Sequence, residues 1–168
     1  MMKHAATKGF TLVEILIVVI ILGILAAIVI PQFTEASAEA RVSNLMTNLQ
    51  TMRSQVLLYK TQHLENYPAD GAGEGNAEFE DEMCNYSDED GDTNATPDAA
   101  HPYGPYLTSV PINPISNDNT VRVIQNGATA FSAPANDGGW WFNAVTGEFR
   151  ADLEDTHTTM DGTKMNEL

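Results

Sequence analysis

The sequence predicts an α+β chain: a long amino-terminal helix, membrane-spanning in its first half, packed by its second half on a small carboxy-terminal antiparallel β-sheet domain. Three observations carry that prediction. An apolar run, broken by few polar residues, occupies residues 10–30. Beyond it, large apolar residues recur at alternating spacings of three and four as far as residue 59. After residue 119, short runs rich in Val, Ile, Trp and Phe alternate with Gly, Asn, Asp and Pro, the pattern of strands and turns.

The first element starts after a short polar stretch, residues 1–9, which carries Lys3, His4 and Lys8 and no acid. Residues 10–30 as a helix span about 31 Å, roughly the hydrocarbon thickness of a bilayer. Basic residues on the leading side predict an amino terminus in the cytoplasm and the remainder of the chain outside. A cleaved secretory signal ending at Ala36-Ser37-Ala38 is the competing reading. Its apolar stretch is too long for that class, and cleavage there would cut a continuing helical pattern in half. A plain single-pass anchor is the stronger alternative.

Glu14 separates a plain anchor from something more specific. A carboxylate in a spanning helix is unfavourable, by about 2.5–3.5 kcal/mol near the centre and less close to an end. Snorkelling towards the interface accounts for it in a plain anchor. If the chain were cut just before Phe10, the new α-amino group of a neighbouring copy would neutralise Glu14, giving both affinity and register.

The residues Lys8-Gly9-Phe10-Thr11-Leu12-Val13-Glu14 resemble the export signal of type IV pilins and type II secretion pseudopilins, and the likeness extends over about the first sixty positions. That resemblance implies the pilin fold, removal of residues 1–9 by a prepilin peptidase, and N-methylation of Phe10. Gly9 and Phe10 are then the processing residues, and Phe10 and Glu14 the filament-assembly residues. It further implies a homo-oligomeric helical filament, an inner-membrane assembly platform and minor pilins or pseudopilins as partners. The expected location is the inner membrane, with the later domain periplasmic or extracellular. Loss of two lysines and no acid takes the formal charge from −15 to −17.

Pro31 interrupts the helix by removing one amide donor, and Gly23 weakens it two turns earlier. They bracket a stretch that can bend or melt; the resemblance implies a hinge here that loses helicity on packing, against the plainer reading of a tolerated kink. After Pro31 the chain turns amphipathic. Val42, Leu45, Leu49, Met52, Val56 and Tyr59 form the stripe, a core-facing surface rather than a coiled coil. The helix is expected to stop near Glu65-Asn66-Tyr67-Pro68, giving a length of about 84 Å from Phe10.

Between residues 61 and 121 there is no Lys or Arg, while acids crowd the same stretch. The formal charge of −15 excludes nucleic acid and anionic lipid as partners for the bulk of the protein and favours cations. Residues 69–100 read as a long loop. Within it Asp88, Asp90, Asp92 and Asn94 sit at alternate positions, like the start of an EF-hand-type loop for a structural calcium. Thr93 stands where that loop needs glycine and Ala99 where it needs an acid. A solvated acidic loop is therefore the favoured reading.

A stiff proline-rich connector follows at residues 103–114. Strand candidates come next at 120–124 and 128–132, then a hairpin of 139–143 and 148–151 about a turn at 144–147. Alternation sends Trp140 and Phe142 to one face and Trp141 to the other, so one tryptophan is expected inward and its neighbour partly exposed. The tail, 154–168, is expected to fray. The organisation is thus leader 1–9, spanning half-helix 10–30, amphipathic half-helix 31–65, acidic and proline-rich region 66–119, sheet 120–153 and polar tail 154–168.

No active site assembles. His4, His63, His101 and His157 are isolated, without metal-ligand spacing. Cys84 is the single cysteine and lies among Glu80, Asp81 and Glu82, which raise its pKa and weaken it as a nucleophile. A membrane-tethered enzyme or binding domain is the remote alternative. Within the filament class, the proline-asparagine and tryptophan patterns resemble G-type major pseudopilins, and the lone cysteine disfavours pilins with a carboxy-terminal disulfide loop. The alternative is a major type IV pilin of a surface fibre for adhesion or motility.

Overall fold

The structure, a computed structural model, describes residues 9–71 and 76–168; leader residues 1–8 and Glu74 fall outside it. Two compact units divide the chain, Met1–Ala38 and Glu39–Leu168.

Helix α1 comprises Leu12–Gln62. It runs through Pro31 without the expected interruption. Proline removes a single amide donor, and within a long apolar helix the flanking bonds hold. Near it the Thr34 hydroxyl donates to the Ile30 carbonyl at 3.2 Å. Every described residue from Gly9 to Ala38 is exposed.

In the second unit the stripe is a core face. Leu45, Leu49, Met52, Val56 and Tyr59 are buried, while Val42 is half-buried. The helix stops at Gln62, a few residues before the expected place, because Leu64 and Glu65 take left-handed backbone conformations. His63 is buried at this corner, stacked on the Tyr59 ring at 3.7 Å.

Two corrections fall in the acidic region. Part of it is helical: α2 spans Asn76–Cys84 and buries Phe79 and Met83. These two apolar residues, four apart on one face, suffice to anchor a short helix in an otherwise polar segment. Beyond it, β1 (Tyr86–Ser87) and β2 (Thr93–Asn94) pair antiparallel.

The main sheet has three strands in the order β3-β4-β5: Val121–Ile124, Trp140–Asn143 and Phe149–Ala151. The expected hairpin is present, with Trp140 opposite Ala151 and Phe142 opposite Phe149. The sheet is mixed rather than purely antiparallel, since β3 runs parallel to β4 with Val121 opposite Trp140. A long crossover joins these two strands, as parallel pairing requires. That crossover contains residues 128–132, which form no strand. Instead Phe131 packs edge-on against Trp141 at 5.5 Å, so both tryptophans are buried and β4 is covered on both faces. Gly139 permits this path: a Cβ there would collide with the Thr120 backbone.

The tail is ordered too. Asn166 donates to the Leu153 carbonyl at 2.8 Å and to Asp155 at 3.0 Å, Lys164 pairs with Asp155 at 2.6 Å, and His157 meets Asp137 at 2.6 Å. A polar tail can be fixed by hydrogen bonds where it has few apolar side chains to bury. Arg53 of α1 donates to the Phe149 carbonyl from Nε at 3.1 Å and from a terminal nitrogen at 2.9 Å. The proline-rich connector is pinned by Trp140 Nε1 on the Pro111 carbonyl, 2.8 Å.

Candidate functional site

The residues singled out for processing and assembly lie at the start of α1. Thr11 immediately precedes the first helical residue, Leu12, and Glu14 is the third. The Thr11 amide donates to Glu14 Oε2 at 2.9 Å and the Thr11 hydroxyl donates to the same oxygen at 2.7 Å. In return the Glu14 amide donates to Thr11 Oγ1 at 3.3 Å. This reciprocal arrangement is a capping box.

A helix start leaves backbone N–H groups without partners, a heavy penalty in hydrocarbon. The box satisfies two of them. It also places a carboxylate where the helix dipole favours negative charge, which lowers the cost of an acid in a spanning segment. Both donations from Thr11 fall on Oε2. Oε1 receives none among the described residues and remains open to a donor from elsewhere.

Gly9 and Phe10 are exposed, Phe10 by 82%, and nothing lies within 4 Å of where a Gly9 side chain would start. Among the described residues nothing obstructs the peptide between them. From Leu12 to Ile30 the large apolar side chains all stay at least 41% exposed. The helix is long and apolar enough to cross a membrane, with mean hydropathy 3.3 in its most apolar window. Gly23 and Pro31 lie within α1, away from the capped end, and both are helical.

The capping box was the signal not extracted from the sequence. Thr11-Leu12-Val13-Glu14 has the Ser/Thr-x-x-Glu spacing that marks a helix start. Reading Glu14 only for its charge passed over its local partner.

The acidic turn has a different geometry. Asp88 Oδ1 accepts the amides of Asp90 and Asp92 at 3.0 and 2.9 Å. Asp92 faces His101 Nε2 at 3.7 Å, and Asn94 donates to Asp98 Oδ2 at 2.8 Å. Among the described residues, no group of three or more His, Cys, Asp or Glu side chains is arranged to hold a metal ion. Hydrogen bonds from the His101 ring and amide, with others, hold the Asp98 carboxyl down at about 2.

Elsewhere, burial and then the Glu80 charge push the Cys84 thiol up, the direction expected from its acidic surroundings. Glu82 is buried and accepts from the Tyr59 hydroxyl at 2.7 Å and the Ala69 amide at 2.9 Å. Burial raises its pKa, while these bonds partly offset the rise.

Comparison with known proteins bears on the same segment. The family model for the prokaryotic N-terminal methylation motif matches residues 5–30. The chain is 51% identical over 49 residues to the type IV major fimbrial protein FimA of Dichelobacter nodosus, covering 29% of this chain and 31% of that protein. It is 36% identical over 72 residues to the type II secretion system core protein G of Pseudomonas aeruginosa, covering 43% of this chain and 50% of that protein. The amino-terminal segment of this chain is thus similar to those of type IV pilins and type II secretion pseudopilins. A fimbrial protein of Neisseria meningitidis is similar in the same way, 38% identical over 74 residues, covering 44% of this chain and 43% of that protein. The chain spans between 31% and 50% of the length of these pilin and pseudopilin relatives. No solved structure matches.

Proposed function

We propose that this chain is a structural subunit that polymerises into a type IV pilus-like filament, and that it catalyses nothing. The observation that carries the reading is the capped start of α1. There an open peptide, Gly9–Phe10, and a carboxylate with one free oxygen sit at the head of an exposed apolar helix.

In this reading the chain is held in the inner membrane with its amino terminus cytoplasmic. A prepilin peptidase cuts after Gly9, and the new Phe10 amine is methylated. That amine, carried by one subunit, meets Glu14 Oε1 of the next. Both charges are unfavourable alone in hydrocarbon, and their pairing removes the penalty for each while fixing the axial register. The stretch from Gly23 to Pro31, already short of one amide donor, then yields helix as subunits pack.

Glutamine separates the two tasks of Glu14, because it completes a capping box but carries no charge. Glu14→Gln is expected to insert in the membrane normally yet yield few or no sheared filaments, and Glu14→Ala to behave as badly or worse. Mass spectrometry of wild-type filaments is expected to show chains starting at methylated Phe10. Filaments built from chains that begin at Met1, or from the glutamine variant in normal yield, would defeat the proposal.

Within the class, we favour a major pseudopilin of a type II protein secretion system. The likeness to core protein G and the single cysteine, which allows no disulfide within the chain, support that choice. The fimbrial relatives support a surface pilin as the second reading. Deleting the gene distinguishes them: retention of exported proteins in the periplasm indicates the first, and loss of surface fibres with export intact indicates the second.

A further inference from the structure

Two Asn-x-Ser/Thr tripeptides occur in the acidic region, Asn85-Tyr86-Ser87 and Asn94-Ala95-Thr96. The tripeptide is a weak signal alone, since it needs an accessible loop on an exported domain to be used. The fold treats the two in opposite ways.

In the first, Ser87 is completely buried. Its hydroxyl lies 2.9 Å from His63 Nε2, and its backbone is bridged to Tyr103 in both directions at 3.0 and 3.1 Å. Asn85 donates to Asp81. An enzyme cannot read the Ser87 hydroxyl without unfolding this corner.

In the second, Ala95 and Thr96 are exposed and Asn94 is half-exposed. No side-chain partner holds the Thr96 hydroxyl among the described residues. The Thr96 amide approaches Asn94 Oδ1 at 3.4 Å, which turns carboxamide and hydroxyl residue towards one another. Nδ2 donates to Asp98 Oδ2 at 2.8 Å, a single surface bond to a half-exposed carboxylate. Asp92, two residues before Asn94, is exposed and offers a transferase a negative charge to grip. Pro97 biases Thr96 away from helical backbone and keeps the tripeptide off any helix.

We propose that Asn94 is an N-glycosylation acceptor, modified on the folded domain by a transferase that uses a polyprenyl-pyrophosphate-linked glycan and reads the preceding acid. Asn94 Nδ2 forms a bond to the anomeric carbon of the donor sugar. The bond from that carbon to the pyrophosphate oxygen breaks, and the lipid pyrophosphate leaves with the electron pair. One of the two amide protons passes to a base of the transferase. The inference rests on the reading above in one respect: the domain must reach the compartment where such donors face.

The test avoids that dependence by using purified full-length chain, folded in detergent micelles, with a bacterial oligosaccharyltransferase and its lipid-linked donor. Glycopeptide mass spectrometry is expected to find one glycan, on Asn94, with Asn85 bare. Asn94→Gln and Thr96→Ala abolish it, Asp92→Asn strongly reduces it, and Ser87→Ala leaves it unchanged. A folded chain that stays bare overturns the proposal, whether or not heat-unfolded chain is modified, and so does modification of Asn85 to the same extent. None of these results depends on filament assembly, which the Glu14 variants report separately.

Discussion

Residues 9–38 and the unit Glu39–Leu168 dispose of their apolar side chains in opposite ways. In the first, Ile, Leu and Val stand exposed along the helix, with Phe10 and Phe33 at 82% and 73%. In the second, one stripe of the same helix joins Phe79, Trp140, Phe142 and Phe149 in a closed core. The difference lies in sequence pattern. An apolar run without a polar face has no inside and needs a bilayer or other copies of itself to cover it. A stripe at spacings of three and four has an inside, and the chain supplies its cover. In the function proposed above, assembly chemistry falls to the first region because its stability depends on what surrounds it.

Breaking the core gives the largest expected effect. Phe142 is wholly buried between Phe79 and Phe149, with ring separations of 5.0 and 6.0 Å. Phe142→Ala removes that contact and leaves a cavity, a loss of about 3–5 kcal/mol. Denaturant unfolding followed by Trp140 and Trp141 fluorescence measures it. Membrane insertion is expected to be untouched, since residues 10–30 are themselves apolar and long enough to cross a membrane. A variant that failed to insert would show that the two regions are not independent.

A subtler separation uses pH. Burial raises the Glu82 pKa above its ordinary 4.5, so the folded state favours the protonated acid. Its contribution is fully present below pH 4.5 and is lost as pH rises from there through the raised folded value. Glu82→Gln keeps an acceptor for the Tyr59 hydroxyl and the Ala69 amide without the charge. The variant is expected to gain thermal stability relative to wild type across that window and to hold the gain at neutral pH. Equal pH profiles for the two chains would mean that Glu82 is solvated in solution.

How much of this was legible beforehand follows the same division. Periodicity located the helix stripe and hairpin because burial on one face writes a period into the sequence. The Gly-Phe-Thr-Leu-Val-Glu motif was legible because charge in an apolar run is unfavourable and therefore conspicuous. Three features were not. Helix α2 hides in an acidic segment because its apolar face is only Phe79 and Met83. The parallel pairing of β3 with β4 depends on a crossover whose path is set by tertiary contacts such as Phe131 on Trp141. The ordered tail depends on Asn166 and Lys164, whose partners are chosen by position in space and leave no periodic trace.

The smallest expected effect concerns the acidic turn. Asp88, Asp90, Asp92 and Asn94 have the alternation of a calcium loop, but Asp88 Oδ1 already holds two backbone amides and Asn94 is turned to Asp98. A divalent ion would meet a negative surface rather than a cage, and surface charges respond to any ion that screens them. Calcium is therefore expected to raise the melting temperature of the full chain no more than magnesium does at equal ionic strength. A rise specific to calcium and reversed by chelation would mean that Asp98 releases Asn94 and the turn rebuilds around the ion. That outcome would also withdraw Asn94 from a transferase, so calcium would then be expected to suppress modification at that residue.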